Sequence, residues 1–194
     1  MKALTYKEAA KAVGSVSELD GRFDSVCTDT RKITPNCLFI ALKGENFDGH
    51  DYAAKALESG AGAVVCERDC GLGERQMLVG STRKELLDLA GYYRSLFKIP
   101  FVGITGSVGK TTTKDMVHAA LSAKYNTLKN EGNLNNEIGV PLTLFRLDPS
   151  HEAAVIEMGM SGFGEISAMT NIVRPDVAII TNIGVSHIEK LGSR

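Results

Sequence analysis

The chain's 194 residues are 43% hydrophobic and 23% charged, which at ~150 residues per domain predicts one to two domains with a real core. Twenty-two Lys and Arg against 23 Asp and Glu leave a formal charge of -1, and that balance argues against a basic nucleic-acid-binding surface. No apolar run approaches the ~18 residues that cross a bilayer, and the well-mixed composition excludes collagen, coiled-coil and disordered classes.

Residues 1–8 lack the apolar stretch of a signal peptide. The four cysteines, Cys27, Cys37, Cys66 and Cys70, are irregularly spaced with no Cys-x-x-Cys. They read as reduced thiols of a cytoplasmic protein.

Thr5-x-x-Glu8 is a capping-box pattern that opens a short helix, and Gly14 suits its end. Strands are predicted over 25–28 and 37–42, then a helix over 51–59 closed by Gly60, a strand over 63–66 and another over 76–79. Ser81 or Thr82 opens a long amphipathic helix to about Phe97, with Leu86, Leu87, Leu89, Ala90, Tyr93 and Phe97 near one face. Ile99-Pro100 interrupts helical geometry, which places a domain boundary near 98–100 and gives domains 1–98 and 99–194. Beyond it the rhythm is strand 101–105, glycine loop, helix 110–123, a Gly/Asn-rich segment, strand 153–157, helix 164–173 and strand 177–181. The expected fold class is α/β: a small α/β domain, then a P-loop domain with a parallel sheet covered on both faces. The apolar runs 153–156 and 177–180 suit strands buried on both sides.

Gly106-Ser107-Val108-Gly109-Lys110-Thr111-Thr112 is the most informative stretch. An apolar strand enters a tight turn whose successive amides can cradle phosphate oxygens. Lys110 is placed to reach the β- and γ-phosphates of a nucleotide, and the Thr111 hydroxyl to ligate Mg²⁺. The commonest pattern has glycine where this chain has Ile104, so the loop is the shorter Gly-x-x-Gly-Lys-Thr form. The plainer alternative is a glycine turn before a helix with an exposed lysine. A second magnesium anchor is expected at the end of a neighbouring strand, where Glu157 closes an apolar run. His187 follows the last strand, on the side where α/β sheets bind ligands.

The stretch from Gly103 to Lys114 resembles the ATP loop of the Mur ligases, which build the peptidoglycan precursor. Gly132-Asn133-Leu134-Asn135-Asn136-Glu137, Glu157-Met158-Gly159-Met160 with Gly164-Glu165-Ile166, and Thr181-Asn182-Ile183-Gly184-Val185-Ser186-His187 carry the likeness further. Thr28-Asp29-Thr30-Arg31, Leu38 to Gly44 and Asp48-Gly49-His50 extend it into the first domain. Among the Mur ligases the fit is to those that join D-alanyl-D-alanine to UDP-N-acetylmuramoyl-tripeptide. Thr30 stands where the family more often has serine, and the hydroxyl survives.

The resemblance implies an ATP- and Mg²⁺-dependent amide ligase acting through an acyl phosphate, monomeric as the full-length protein, with no nucleic-acid partner and no membrane insertion. Lys110, Glu157 and His187 would be catalytic; residues 106–112 would bind nucleotide; Thr111, Glu157 and His187 would hold metal. Asp29, Thr30 and Arg31 resemble a UDP-contacting turn; read without the resemblance, they are a surface turn with an ion pair. Lys43, Asp48 and His50 would shape the same pocket, although Asp48 could simply cap a helix. Asn135 and Asn136 would contact nucleotide or substrate. The chain is expected to hold the first domain and the first part of the central one, with the carboxy-terminal domain absent and no activity alone. The alternatives are a fragment that binds nucleotide or UDP-sugar without turnover, and another Mur- or folylpolyglutamate-type ligase.

Overall fold

The structure is a computed structural model that describes residues 1–185. It divides into two compact units, Met1–Leu89 and the chain from Ala90 onward; the division falls inside the long helix that starts at Thr82.

In the first unit, β1 (Leu4–Thr5) pairs antiparallel with β2 (Arg22–Phe23). The capping box opens α1 (Tyr6–Ala12): the Glu8 amide donates to Thr5 Oγ1 at 3.1 Å, and the Thr5 amide donates to Glu8 Oε2 at 2.8 Å. Four parallel strands follow in the order β3 (Val26–Cys27), β4 (Leu38–Ile40), β5 (Ala63–Cys66) and β6 (Gln76–Leu78). Every residue of β4 and β5 is buried, as central parallel strands require. Small residues on α2 (Ala53–Glu58), Ala53 and Ala56, join Cys27, Cys37, Phe39, Val64 and Cys66 in one core cluster. The helix expected over 51–59 begins as a 3₁₀ turn, Gly49–Tyr52, before α2. All four cysteines are free thiols.

The long helix is α3 (Thr82–Ser95). The second unit continues with β7 (Phe101–Thr105), α4 (Lys110–Ser122), β8 (Thr127–Lys129), α5 (Gly139–Leu144), β9 (Ala153–Glu157), α6 (Glu165–Val173) and β10 (Val177–Ile180). Its strands are parallel in the order β10-β7-β9-β8. Register sets Ile104 of β7 beside Glu157 of β9 and Thr105 beside Ile180 of β10. The carboxyl ends of three strands therefore meet around β7, where the strand order reverses and α/β sheets bind ligands. Phe101, Ile104, Val155 and Ile156 are fully buried along β7 and β9, each contributing about 1.5–3 kcal/mol of transfer free energy.

One expectation is corrected. The run 177–180 is not buried on both sides: Val177 and Ile180 are 55% and 60% exposed, β10 being an edge strand of the sheet among the described residues.

Candidate nucleotide site and a polar turn

The chain leaves β7 through a turn that only glycine can make. Gly106 sits at φ +133°, and a Cβ there would lie 2.2 Å from Thr181 Oγ1. Gly109, at φ +82°, caps α4 in the left-handed region with no side-chain cap bond. The first-turn amides of α4, at Lys110, Thr111 and Thr112, have no intrahelical acceptor by helix geometry, so the helix start presents donors and positive dipole. The two amides before the cap are engaged: Ser107 N–H donates to the Asn182 carbonyl at 3.1 Å, and Val108 N–H to Asn182 Oδ1 at 3.0 Å. Thr181 Oγ1 donates to the Val108 carbonyl at 2.6 Å, and Gly184 N–H to Ser107 Oγ at 2.8 Å. The segment after β10 thus straps the loop.

Lys110 folds back over the loop, its Nζ donating to the Gly106 and Ser107 carbonyls at 2.8 and 3.3 Å. Thr111 Oγ1 donates to Glu157 Oε1 at 3.1 Å, and Asn135 Nδ2 donates to the same oxygen at 2.8 Å. Glu157 is 1% exposed. Asn130 locks its backbone, accepting the Glu157 amide on Oδ1 at 2.6 Å and donating Nδ2 to its carbonyl at 3.2 Å. Lys114 Nζ lies 3.5 Å from Glu157 Oε2; that oxygen has no hydrogen-bond partner among the described residues. A cavity of about 290 Å³ opens beside this cluster, lined by Lys110, Asn135, Asn136, Met160, Ser161 and Glu165 among others. A buried carboxylate whose Oε1 lies against the Thr111 hydroxyl is a hard-oxygen pair suited to a divalent cation that keeps waters and phosphate oxygens as its other ligands. Among the described residues, no three His, Cys, Asp or Glu side chains gather as a cage.

Asn136 is engaged locally, its Oδ1 accepting the Ile138 and Gly139 amides at 3.1 and 2.8 Å, while Asn135 faces Glu157. The expectation on His187 lies outside the described residues. Sequence reasoning does not single out Lys114, Asn130, Thr181 or Asn182. Lys114, Thr181 and Asn182 fall within stretches that carry the family likeness, and Lys114 has a further signal: it stands four residues after Lys110 on one helix, hence on the same face.

In the first unit, Asp29 caps the 3₁₀ turn Thr30–Lys32. Its Oδ1 accepts the Arg31 amide at 3.0 Å, and the Arg31 guanidinium forks onto both carboxylate oxygens, with Nε to Oδ1 at 2.9 Å and Nη2 to Oδ2 at 2.7 Å. The guanidinium first and the turn amide second hold the Asp29 carboxyl down to about 2. Arg31 is otherwise open to solvent.

Asp48 caps the second 3₁₀ turn, and its backbone pairs with Lys43. His50 is buried. Its Nε2 accepts the Glu67 amide at 2.8 Å, so the proton sits on Nδ1, which donates to Asp48 Oδ1 at 2.5 Å. The His50 amide and imidazole lower the Asp48 carboxyl, whose Oδ2 also accepts from Arg68 Nη1 at 3.2 Å. His50 therefore holds a turn, with both ring nitrogens satisfied.

Two family models match the chain: the Mur ligase middle domain over residues 104–194, and the Mur ligase family catalytic domain over 22–85. A Synechocystis protein named UDP-N-acetylmuramoyl-tripeptide–D-alanyl-D-alanine ligase is 48% identical over 185 residues, covering 94% of this chain and 40% of its own length. The crystal structure of MurF from Acinetobacter baumannii superposes with a TM-score of 0.93 at 34% identity, covering all of this chain and 44% of that one. MurF from Thermotoga maritima in complex with ADP gives 0.82 at 37% identity, covering 87% and 40%. The chain thus spans about two fifths of the length of these relatives.

Proposed function

Because this chain belongs to the Mur ligase family, we propose that it supplies the nucleotide site and the UDP-sugar turn of an ATP-dependent ligase that joins D-alanyl-D-alanine to UDP-N-acetylmuramoyl-tripeptide. The observation that carries the reading is the buried Glu157 carboxylate bonded to Thr111, the residue directly after the loop lysine. A glycine turn with an exposed lysine would not require a buried acid at its foot. The relatives' names supply the substrates, and the ADP complex of a similar structure supports the nucleotide.

In this reading the tripeptide's terminal carboxylate attacks the γ-phosphorus of ATP, forming a C–O–P bond and releasing ADP. The amine of D-alanyl-D-alanine then attacks the acyl carbon, and phosphate leaves. The first step sets an anion against a polyanion, so the barrier is electrostatic. Lys110 exchanges its two loop carbonyls for phosphate oxygens, and the open amides at the start of α4 take further ones. Thr111 and Glu157 would hold Mg²⁺, which when bound would supply divalent charge against the triphosphate. His187 keeps the metal-ligand role that the family likeness gives it. Arg31 exchanges Asp29 for the diphosphate of the UDP-sugar, since its planar fork suits either anion. Lys43, Asp48 and His50 shape the sugar pocket in this reading, Asp48 and His50 by fixing the backbone of the 3₁₀ turn Gly49–Tyr52. The reaction belongs to the cytoplasm; no described helix is long and apolar enough to cross a membrane.

Calorimetry with MgATP on this chain tests the reading, with saturable binding lost in Lys110→Ala as the expected result. In the whole ligase, the same substitution is expected to lower kcat by on the order of 10²–10³. A chain that ignores MgATP, or a Lys110→Ala ligase of undiminished turnover, would refute it. Binding without turnover by the 194-residue chain would identify it as a binding portion of that ligase.

A further inference from the structure

Glu157 has two carboxylate oxygens in different surroundings. Oε1 accepts from Thr111 and Asn135, whereas Oε2 accepts no hydrogen bond and lies 3.5 Å from the ammonium of Lys114. Both partners of this ion pair are buried, Lys114 at 3% and Glu157 at 1% exposure. The other charge facing Lys114 is Asp115 Oδ1 at 3.8 Å, itself bridged to Lys129 at 2.8 Å. A buried ion pair is a poor device for stability alone, because desolvation consumes most of the Coulombic gain. Its value here is positional. It stands one helical turn from the loop lysine, and it fixes the acid that accepts from the Thr111 hydroxyl.

We propose that Lys114 is a positioning residue for the metal ligand. Its ammonium anchors Oε2 of Glu157, so that Oε1, shared with the Thr111 hydroxyl, is the oxygen presented to the divalent cation of a nucleotide complex. The proposal rests on the ligase reading above and adds a residue that touches neither nucleotide nor substrate. Asn130 fixes the backbone of the same glutamate, Thr111 and Asn135 hold Oε1, and Lys114 is the charge that holds the opposite oxygen away from the loop. Partners that orient a metal ligand are commonly worth on the order of 10- to 100-fold in metal affinity.

The test uses the 194-residue chain and ADP, titrated by calorimetry with saturating Mg²⁺ and again in EDTA. The dissociation constant in EDTA divided by that in saturating Mg²⁺ isolates the magnesium-dependent part of binding. In Lys114→Met this ratio is expected to fall on the order of 10- to 100-fold, while the constant in EDTA stays at the wild-type value. Lys114→Arg, which retains the charge, is expected to restore most of the ratio. A folded Lys114→Met with an unchanged or larger ratio overturns the proposal, as does a parallel loss of affinity in EDTA, which would mean that the ammonium acts on phosphate directly. Should Lys114→Met fail to fold, Lys114→Gln keeps a donor near Oε2 without the charge, and a full wild-type ratio in it is equally fatal. A wild-type chain with no affinity for ADP in either medium defeats the ligase reading and the proposal together. A wild type with a large ratio and an indifferent Lys114→Met defeats the proposal alone.

Discussion

Arg31 exposes 87% of its side chain to solvent, yet its fork is laid on Asp29, and that contact, ahead of the turn amide, makes the turn titrate unusually. The Asp29 carboxyl sits at about 2, below the ~3.9 of an unpaired aspartate. A depressed carboxyl contributes stability above its unfolded value, and the contribution disappears as pH falls through about 2. The turn Thr30–Lys32 is therefore expected to stay intact at pH 5 and to loosen only in strong acid. Arg31→Ala removes the larger cause and leaves the amide bond. A carboxyl-resolved NMR titration is expected to show the Asp29 midpoint move up toward the ordinary range, and an unmoved midpoint would assign the depression to the turn amide instead. Saturating UDP is expected to shift the midpoint the same way, because a diphosphate competes for the same guanidinium donors.

Among the elements, the phosphate loop is where backbone geometry and chemistry coincide. A methyl group at position 106 meets Thr181 Oγ1 at 2.2 Å and the Asn182 backbone at 3.0 Å, on a residue already at φ +133°. Gly106→Ala must therefore open the strap between the segment after β10 and the loop. The expected destabilisation is about 1–3 kcal/mol from the backbone alone, read as a lower midpoint in denaturant, together with loss of ADP binding. Retained affinity would show that the strap is dispensable to the loop's shape.

The loop itself is legible in the sequence because its signal is local: glycines, Lys110, Thr111 and the helix after them are consecutive. The capping box at Thr5 and Glu8 is legible for the same reason. Strand β8 is three residues long, too short to show a period, and α5 spans six residues that include Gly139 and Pro141, so neither announces itself. The exposure of β10 departs from expectation because an apolar run cannot say whether its strand is central or at an edge. Asn130 carries no signal of its own, and Asn182 none beyond the family likeness, since they reach the site across strand neighbours fixed only by the order β10-β7-β9-β8. Glu157 is betrayed by its place at a strand end; its partner Lys114 needs the helix to be wound and packed before its ammonium meets the acid.

At the level of the whole molecule, each compact unit has its own parallel sheet and its own candidate ligand, and stabilisation by a ligand belongs to the structure that binds it. A ligand at 100 times its dissociation constant contributes about 2.7 kcal/mol to the fold that holds it. Amides that open by unfolding of that region should then exchange roughly 100-fold more slowly. With MgADP, hydrogen exchange is expected to slow over residues 106–113 and 157–161, the loop, the start of α4 and the exit from β9, with residues 29–50 unchanged. With UDP the pattern is expected to reverse, protection gathering at the turn capped by Asp29 and the turn capped by Asp48. Glu157→Gln discriminates further, since it should remove the MgADP footprint while the UDP footprint persists. Protection of residues 29–50 by MgADP alone would contradict the assignment of nucleotide to the Lys110 loop, because Arg31 and Lys43 would then be answering to the adenine nucleotide's phosphates instead of to a sugar diphosphate.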